Sequence, residues 1–325
     1  MSVFDSIVRA TLPITPKPMI HFFARRYVAG ATLTDAIATV KRLSEEGCCA
    51  TLDVLGESVS ERQHAATAVA EYHEVIETIA AEALPANISL KPTQMGLNID
   101  HGFCRDNITA VIERAAAKGI FVRIDMEDSP TTDATLRLYR ELITRFPKGT
   151  GVVLQARLRR TMADAAALAA EGASVRLCKG IYREPRTIAY EEREIIRRAF
   201  VHALRILMAS GAYVGIATHD ELLVCEALGI IQELGLSKDG YEFQMLLGVD
   251  PQLRRIITGA GHKLRVYVPF GSHWYPYSVR RCRENPSIAK AGIEAFLKGR
   301  MESGELAPRL GSALPTPPDT AAPCG

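Results

Sequence analysis

The chain has 325 residues, 47% hydrophobic and 23% charged, ordinary values for a globular protein able to bury a large core. Thirty-nine Lys and Arg against 37 Asp and Glu leave a net charge of +2, which argues against binding nucleic acid through a basic face. At about 150 residues per domain two domains are allowed, and a single α/β barrel of about 250 residues fits equally well.

In chain order, residues 1–45 read as helical, with an amphipathic stretch at 33–43 that would pack outside the main domain. Asp5, Arg9 and Lys17, with prolines at 13, 16 and 18, leave no secretory apolar core there. Short apolar, β-branched runs then follow at 50–55, 88–90, 121–124, 152–154, 175–177, 213–217, 241–243 and 264–268. Segments with apolar residues at helical spacing separate them, among them 61–84, 107–118, 132–146 and 190–210. Ser129, Thr132 and Asp133 stand where a helix N-cap belongs, and Gly119, Gly172 and Gly211 where helices stop. Beyond about residue 303 the sequence is rich in Pro, Ala and Gly without apolar periodicity, and is expected to be disordered. The longest uncharged stretch, 206–219, falls short of the ~18 apolar residues of a membrane-spanning helix. Seven cysteines, with Cys48 and Cys49 adjacent and no CxxC pair, read as reduced, mostly buried thiols of an intracellular protein; no metal site is expected.

Eight alternations of strand and helix imply parallel strands joined by crossover helices, hence a (β/α)8 barrel over 46–302. A doubly wound sheet is the alternative fold, but the chain lacks GxGxxG and GxxxxGK[ST]. A barrel's chemistry sits at the C-terminal strand ends. Here those ends are polar: Lys91, Asp125, Gln155, Arg176 with Lys179, Thr218-His219, Gln244 and, within strand 8, Tyr267. After strand 8, the segment 274–285 reads WYPYSVRRCREN and should open a helix with Pro276 in its first turn. Tyr277, Arg280 or Arg281, and Glu284 then share one face over the barrel mouth. Two guanidiniums there can clamp a carboxylate.

The combined pattern resembles the proline dehydrogenase (proline oxidase) family, in its compact, monofunctional bacterial form. The matching pieces are Lys91-Pro92-Thr93-Gln94-Met95-Gly96, Asp125-Met126-Glu127-Asp128, Gln155-Ala156, Arg176-Leu177-Cys178-Lys179-Gly180 and Ala217-Thr218-His219. They continue through Glu242-Phe243-Gln244-Met245-Leu246 to Tyr277, Arg280-Arg281 and Glu284-Asn285. The resemblance implies an FAD-dependent barrel that oxidises L-proline to Δ1-pyrroline-5-carboxylate and passes the electrons to a membrane quinone. It implies that Arg280 and Arg281 bind the proline carboxylate, that Lys91 contacts substrate while paired with an acid, and that Tyr267, Tyr277 and Leu246 wall the ring, with Glu284 beside them. Arg176 would lie by the flavin N5, Gln155 would hydrogen-bond the flavin, and Asp125 and Met126 would line the junction with substrate. Lys179, Gly180, Ile181, Thr218 and His219 would hold the flavin and its ribityl–phosphate chain, with Gln244 also on the cofactor side.

Three positions depart from the family's commonest pattern: Ile181 where a small alanine is usual, Leu247 for a frequent aromatic, and Arg183 for another. A larger Ile181 would reshape the substrate pocket. Two other readings are open to the bare strand pattern. Lys91 or Lys179 could form a Schiff base in a barrel aldolase, or the chain could be a non-enzymatic scaffold. The expected location is cytoplasmic, with at most peripheral contact with a membrane.

Overall fold

The computed structural model of the chain describes residues 26–275 together with 277 and 278. Eight parallel strands close into a barrel in sequence order: β1 (Cys49–Val54), β2 (Ala86–Leu90), β3 (Val122–Ile124), β4 (Thr150–Gln155), β5 (Val175–Cys178), β6 (Val214–Ala217), β7 (Tyr241–Leu246) and β8 (Leu264–Phe270). The expected (β/α)8 architecture is therefore the observed one. Before β1 lies α1 (Leu33–Glu45); then α2 (Arg62–Ala81), α3 (His101–Ala116), α4 (Ser129–Ile143), α5 (Thr161–Ala170), α6 (Arg193–Ala209), α7 (Glu221–Glu233) and α8 (Pro251–Gly259) connect successive strands. No described helix is long and apolar enough to cross a membrane.

The strands alternate in chemistry with a period of two, which in a barrel separates axis from periphery. Leu52, Ile88, Val122, Leu154, Leu177, Ile216, Phe243 and Val266 are fully buried and belong to the core shared with the surrounding helices. Their neighbours in sequence, among them Asp53, Ser89, Arg123, Arg176, Glu242 and Arg265, are buried too, but their side chains bond across the barrel. Glycine makes room for them at two strand positions. A Cβ on Gly151 would stand 2.2 Å from Arg123 Nη1 and 2.7 Å from the Ser174 carbonyl. One on Gly215 would stand 2.5 Å from Gln244 Nε2.

α1 carries its apolar face, Ala36, Ile37, Val40 and Leu43, onto β8 and β1, outside the barrel as expected from its periodicity. Its start is fixed by a capping box, in which Thr32 Oγ1 accepts from Asp35 N and Asp35 Oδ2 accepts from Thr32 N. Just before it, Ala29 N donates to the Pro269 carbonyl and Gly271 N to that of Gly30, so this segment closes over the β1–β8 seam.

Two helix starts differ from the sequence reading. α4 begins at Ser129 behind Asp128 as N-cap, not at Thr132 or Asp133, because Pro130 fits the first turn where no N–H is needed. α3 begins six residues before 107, at His101, because Asp100 accepts from Phe103 N and caps it. The stops stand as expected: Gly119, Gly172 and Gly211 all follow helices with φ between +66° and +80°. Cys48 and Cys104 are buried free thiols, Cys178 is a half-buried and Cys225 an exposed free thiol.

Gly151→Ala should lower the free energy of unfolding by about 1–3 kcal/mol, since the new methyl meets backbone as well as Arg123. Gly149→Ala, where a Cβ would meet nothing within 4 Å, is the control, and urea denaturation of both compares them.

Candidate active site

β3 ends at Ile124, and the next residue, Asp125, gathers three donors from three strands. Its Oδ1 accepts from Arg176 Nη1 at 2.8 Å and from Ser89 Oγ at 2.9 Å; its Oδ2 accepts from Tyr267 OH at 2.8 Å. Arg176 also donates from Nη1 to Ser89 Oγ at 3.0 Å and from Nε to Gln244 Oε1 at 2.5 Å, and its guanidinium carbon lies 5.3 Å from the Tyr267 ring centroid. Burial, reinforced by Asp125 and Asp53, raises the Tyr267 phenol well above its ordinary range, so it keeps its proton and stays a donor to Asp125.

Beside this network, Lys91 Nζ stands 2.5 Å from Asp53 Oδ1, both side chains buried. Burial works against the Lys91 ammonium, yet Asp53, Asp125 and Glu127 outweigh it and raise its pKa. Burial likewise pushes the Asp53 carboxyl up against the pull of Lys91. Lys179, the other lysine at a strand end, is paired with Asp220 Oδ2 at 2.9 Å. Both lysines are engaged in ion pairs, and neither stands as the free amine that Schiff-base chemistry needs.

The loops around the mouth are tied together by Glu127. Its carboxylate accepts from Thr93 N at 2.9 Å and Thr93 Oγ1 at 2.6 Å, and its carbonyl accepts from Gln155 Nε2 at 2.7 Å. Thr93 Oγ1 in turn accepts from Ser58 N at 2.8 Å, so hydrogen bonds link the segments that follow β1, β2 and β3 to the end of β4. Burial raises the Glu127 pKa, against those bonds from Thr93. On the far side, Asp220 takes Arg197 through both oxygens, at 2.8 and 2.9 Å, along with Lys179. Burial opposes its charge, but Arg197 and Lys179 prevail and hold the carboxyl down to about 2.

The structure brings Asp125, Arg176, Gln244 and Tyr267 into direct contact and sets Lys91, Met126, Gln155 and Thr218, all buried, at the same end of the barrel. Lys179, Gly180 and half-buried Ile181 follow β5. His219 Nε2 accepts from Leu246 N at 2.7 Å, joining the β6 and β7 ends. Tyr277 is buried and packs with Val28, Leu55 and Trp274. Arg280, Arg281 and Glu284 lie outside the described residues, as does the segment from 303 onward.

Asp53, Ser89 and Arg265 were absent from the sequence reading, and Glu242 entered it only within a matching family segment. Each is a polar residue flanked by apolar ones in a predicted strand, as in Leu52-Asp53-Val54, Ile88-Ser89-Leu90 and Leu264-Arg265-Val266, and that flanking was the available signal. Most of the polar groups buried near the axis satisfy one another.

The donor set fits a flavin. An isoalloxazine presents acceptors along one edge and its dinucleotide tail carries phosphates, and this mouth offers guanidinium, ammonium and amide donors. Gly180, at φ +90°, leaves a cradle that a Cβ would fill at 2.9 Å from Gln155 Oε1 and from Arg157 Cδ. Arg157 Nε is buried beside it without a partner.

A closed barrel with buried cations and carboxylates converging at its C-terminal end is the framework of a (β/α)8 enzyme. The proline dehydrogenase family model matches residues 36–292, and the chain belongs to that family of flavin-dependent oxidoreductases. It is 34% identical over 275 residues to proline dehydrogenase 1 of Bacillus subtilis, covering 85% of this chain and 91% of that protein. It is 31% identical over 310 residues to proline dehydrogenase of Deinococcus radiodurans, covering 91% and 100%. Among solved structures, proline utilization A (PutA) from Bdellovibrio bacteriovorus superposes with a TM-score of 0.74 at 23% identity over 86% of this chain. The chain spans about a third of that larger protein, covering 34% of it.

Acid stability tests the Asp220 cluster. Its depressed pKa means that, as pH falls from 3.8 towards about 2, the unfolded chain binds a proton the folded one resists, so stability declines across that window. Asp220→Asn should flatten this part of the profile of urea midpoint against pH.

Proposed function

We propose that the chain oxidises L-proline to Δ1-pyrroline-5-carboxylate with FAD at the barrel mouth, and that the electrons then pass to a quinone. The observation that carries this reading is Arg176, a buried cation anchored on two sides by Asp125 and Gln244, in a chain of the proline dehydrogenase family. A bound flavin would take up the two electrons and the hydrogen that leave the carbon beside the ring nitrogen.

The protein's part is placement and charge. Arg176 sets positive charge where the cofactor gains electrons, and Asp125 keeps that guanidinium from turning away. Gln155, with its Nε2 engaged by the Glu127 carbonyl, offers its Oε1 as the acceptor on that side. Gln244, Met126, Lys179, Gly180, Ile181, Thr218 and His219 hold the cofactor. On the substrate side, Arg280 and Arg281 take the carboxylate, with Glu284 orienting them, while Lys91, Leu246, Tyr267 and Tyr277 bound the ring. Lys91, neutralised by Asp53, adds a donor without adding a full net charge. Ile181, larger than the family's usual alanine, narrows the pocket and bears on the choice between proline and its ring analogues. Electron transfer to a membrane quinone requires only weak peripheral contact, in keeping with a cytoplasmic protein of +2 charge.

The purified protein should be yellow, and anaerobic L-proline should bleach it. Stopped-flow reoxidation should then be fast with a soluble quinone analogue, absent with NAD or NADP and slow with oxygen. A colourless protein that reconstitutes with no flavin would overturn the reading, and fast oxygen turnover without quinone reactivity would overturn the acceptor. Arg280→Met and Arg281→Met should each raise the proline KM at least tenfold with flavin retained, as loss of a charge-assisted bond of about 1.5–3 kcal/mol requires. Proline methyl ester should be affected less in both variants; unchanged proline KM in both removes the carboxylate assignment.

A further inference from the structure

Below the mouth, a second set of charges has no place in the chemistry above. Glu242 on β7 is almost fully buried, and its Oε1 accepts from Arg265 Nε at 2.7 Å and from Gln244 Nε2 at 2.6 Å. Arg265 also donates from Nη1 to the Ala50 carbonyl at 2.8 Å, and Lys263 Nζ lies 3.8 Å from Glu242 Oε2. Burial would keep the Glu242 carboxyl neutral, but Arg265 overcomes it and holds the pKa down to about 2, so the group is an anion.

That charge settles a question of orientation. A primary amide has one end that only accepts and one that only donates, and the two are nearly identical in shape. Gln244 lies between a carboxylate, which can only accept, and the Arg176 guanidinium, which can only donate. Only one orientation satisfies both neighbours; the reverse sets donor against donor and acceptor against acceptor. Gly215, in register between Arg176 and Glu242, leaves the space the amide occupies, since a Cβ there would meet Gln244 Nε2 at 2.5 Å and Cδ at 2.8 Å.

We propose that Glu242 is a positioning residue for Arg176, acting through the side-chain amide of Gln244. Its anion turns the Gln244 carbonyl towards Arg176 Nε, and the guanidinium is thereby held on two nitrogens, by Gln244 at Nε and Asp125 at Nη1. The inference rests on the reading that places flavin beside Arg176. It extends that reading to a residue that touches neither cofactor nor substrate.

The test exploits two effects of opposite sign. Removing a buried carboxylate by itself raises the midpoint potential of a nearby flavin, whereas releasing Arg176 lowers it. In the flavin-loaded enzyme Glu242→Met, which removes the acceptor as well as the charge, should therefore lower the potential and slow reduction by proline about fivefold, the worth of one hydrogen bond, with proline KM little changed. Gln244→Met should do the same, and Glu242→Met should cause no further fall in the Gln244→Met background. A raised or unchanged potential in Glu242→Met, or an equal further fall on top of Gln244→Met, overturns the proposal. Should Glu242→Met not fold, Gly215→Ala displaces the same amide with every charge kept, and is expected to lower the potential; no change there counts against the proposal. A second readout needs no flavin: in the flavin-free protein, hydrogen exchange at Arg176 Nε–H should speed up in Glu242→Met and Gln244→Met, and equal rates overturn the relay. Arg176→Met separates the two levels. If its potential equals wild type, the flavin placement fails, while the exchange rates still decide the relay.

Discussion

A guanidinium taken out of water must find acceptors for its donors, or the cost of burying it runs to several kcal/mol. Arg176 meets that demand with Asp125 on one side and Gln244 on the other, and each acceptor creates a demand of its own. Asp125 is shared with Tyr267 and Ser89; Gln244 must be oriented, and Glu242 orients it. Glu242 must then be neutralised, and Arg265 does so. One buried cation thus accounts for polar residues on β2, β5, β7 and β8, and for glycine on β6.

Such a core is seldom the most stable choice. Apolar residues of the same volume often do as well as a buried ion pair, whereas removing one partner leaves the other stranded. The network therefore makes best sense as a device for rigidity: every member is held from at least two directions, so the mouth presents fixed donors to a cofactor and needs little rearrangement during the reaction. Arg123 shows the cost in the same barrel. Burial and the nearby Arg176 pull its pKa down to about 9, and its Nε has no partner.

The eight strands and the helix stops were legible because their signals are local: β-branched runs, and glycine where φ turns positive. The helix starts at His101 and Ser129 were read late because their caps, Asp100 and Asp128, lie upstream of the apolar periodicity. At the site, Asp125, Arg176, Gln244 and Tyr267 were readable at or near strand ends, helped by the family pattern. Their supports were not. Asp53, Ser89, Glu242 and Arg265 stand inside strands, and which of them pairs with which depends on a register between strands far apart in sequence. Tyr277 was placed on the substrate side by helical spacing and the family pattern; its packing against Val28 and Leu55, far from it in sequence, was not legible.

The seam between β1 and β8 joins residues more than 200 positions apart, and Arg265 bonds the Ala50 carbonyl across it. Contacts of such separation form late, after the entropy of closing a long loop has been met. During synthesis the chain must exist for a time as an open sheet with two free edges. In a barrel lined with aliphatic side chains that open form would show a sticky inner face, prone to join with other chains. Here the inner face carries Asp53, Arg123, Arg176 and Glu242, all readily hydrated while the sheet is open. The same charges that later hold Arg176 in place would keep the unfinished barrel dispersed in water until its last strand arrives.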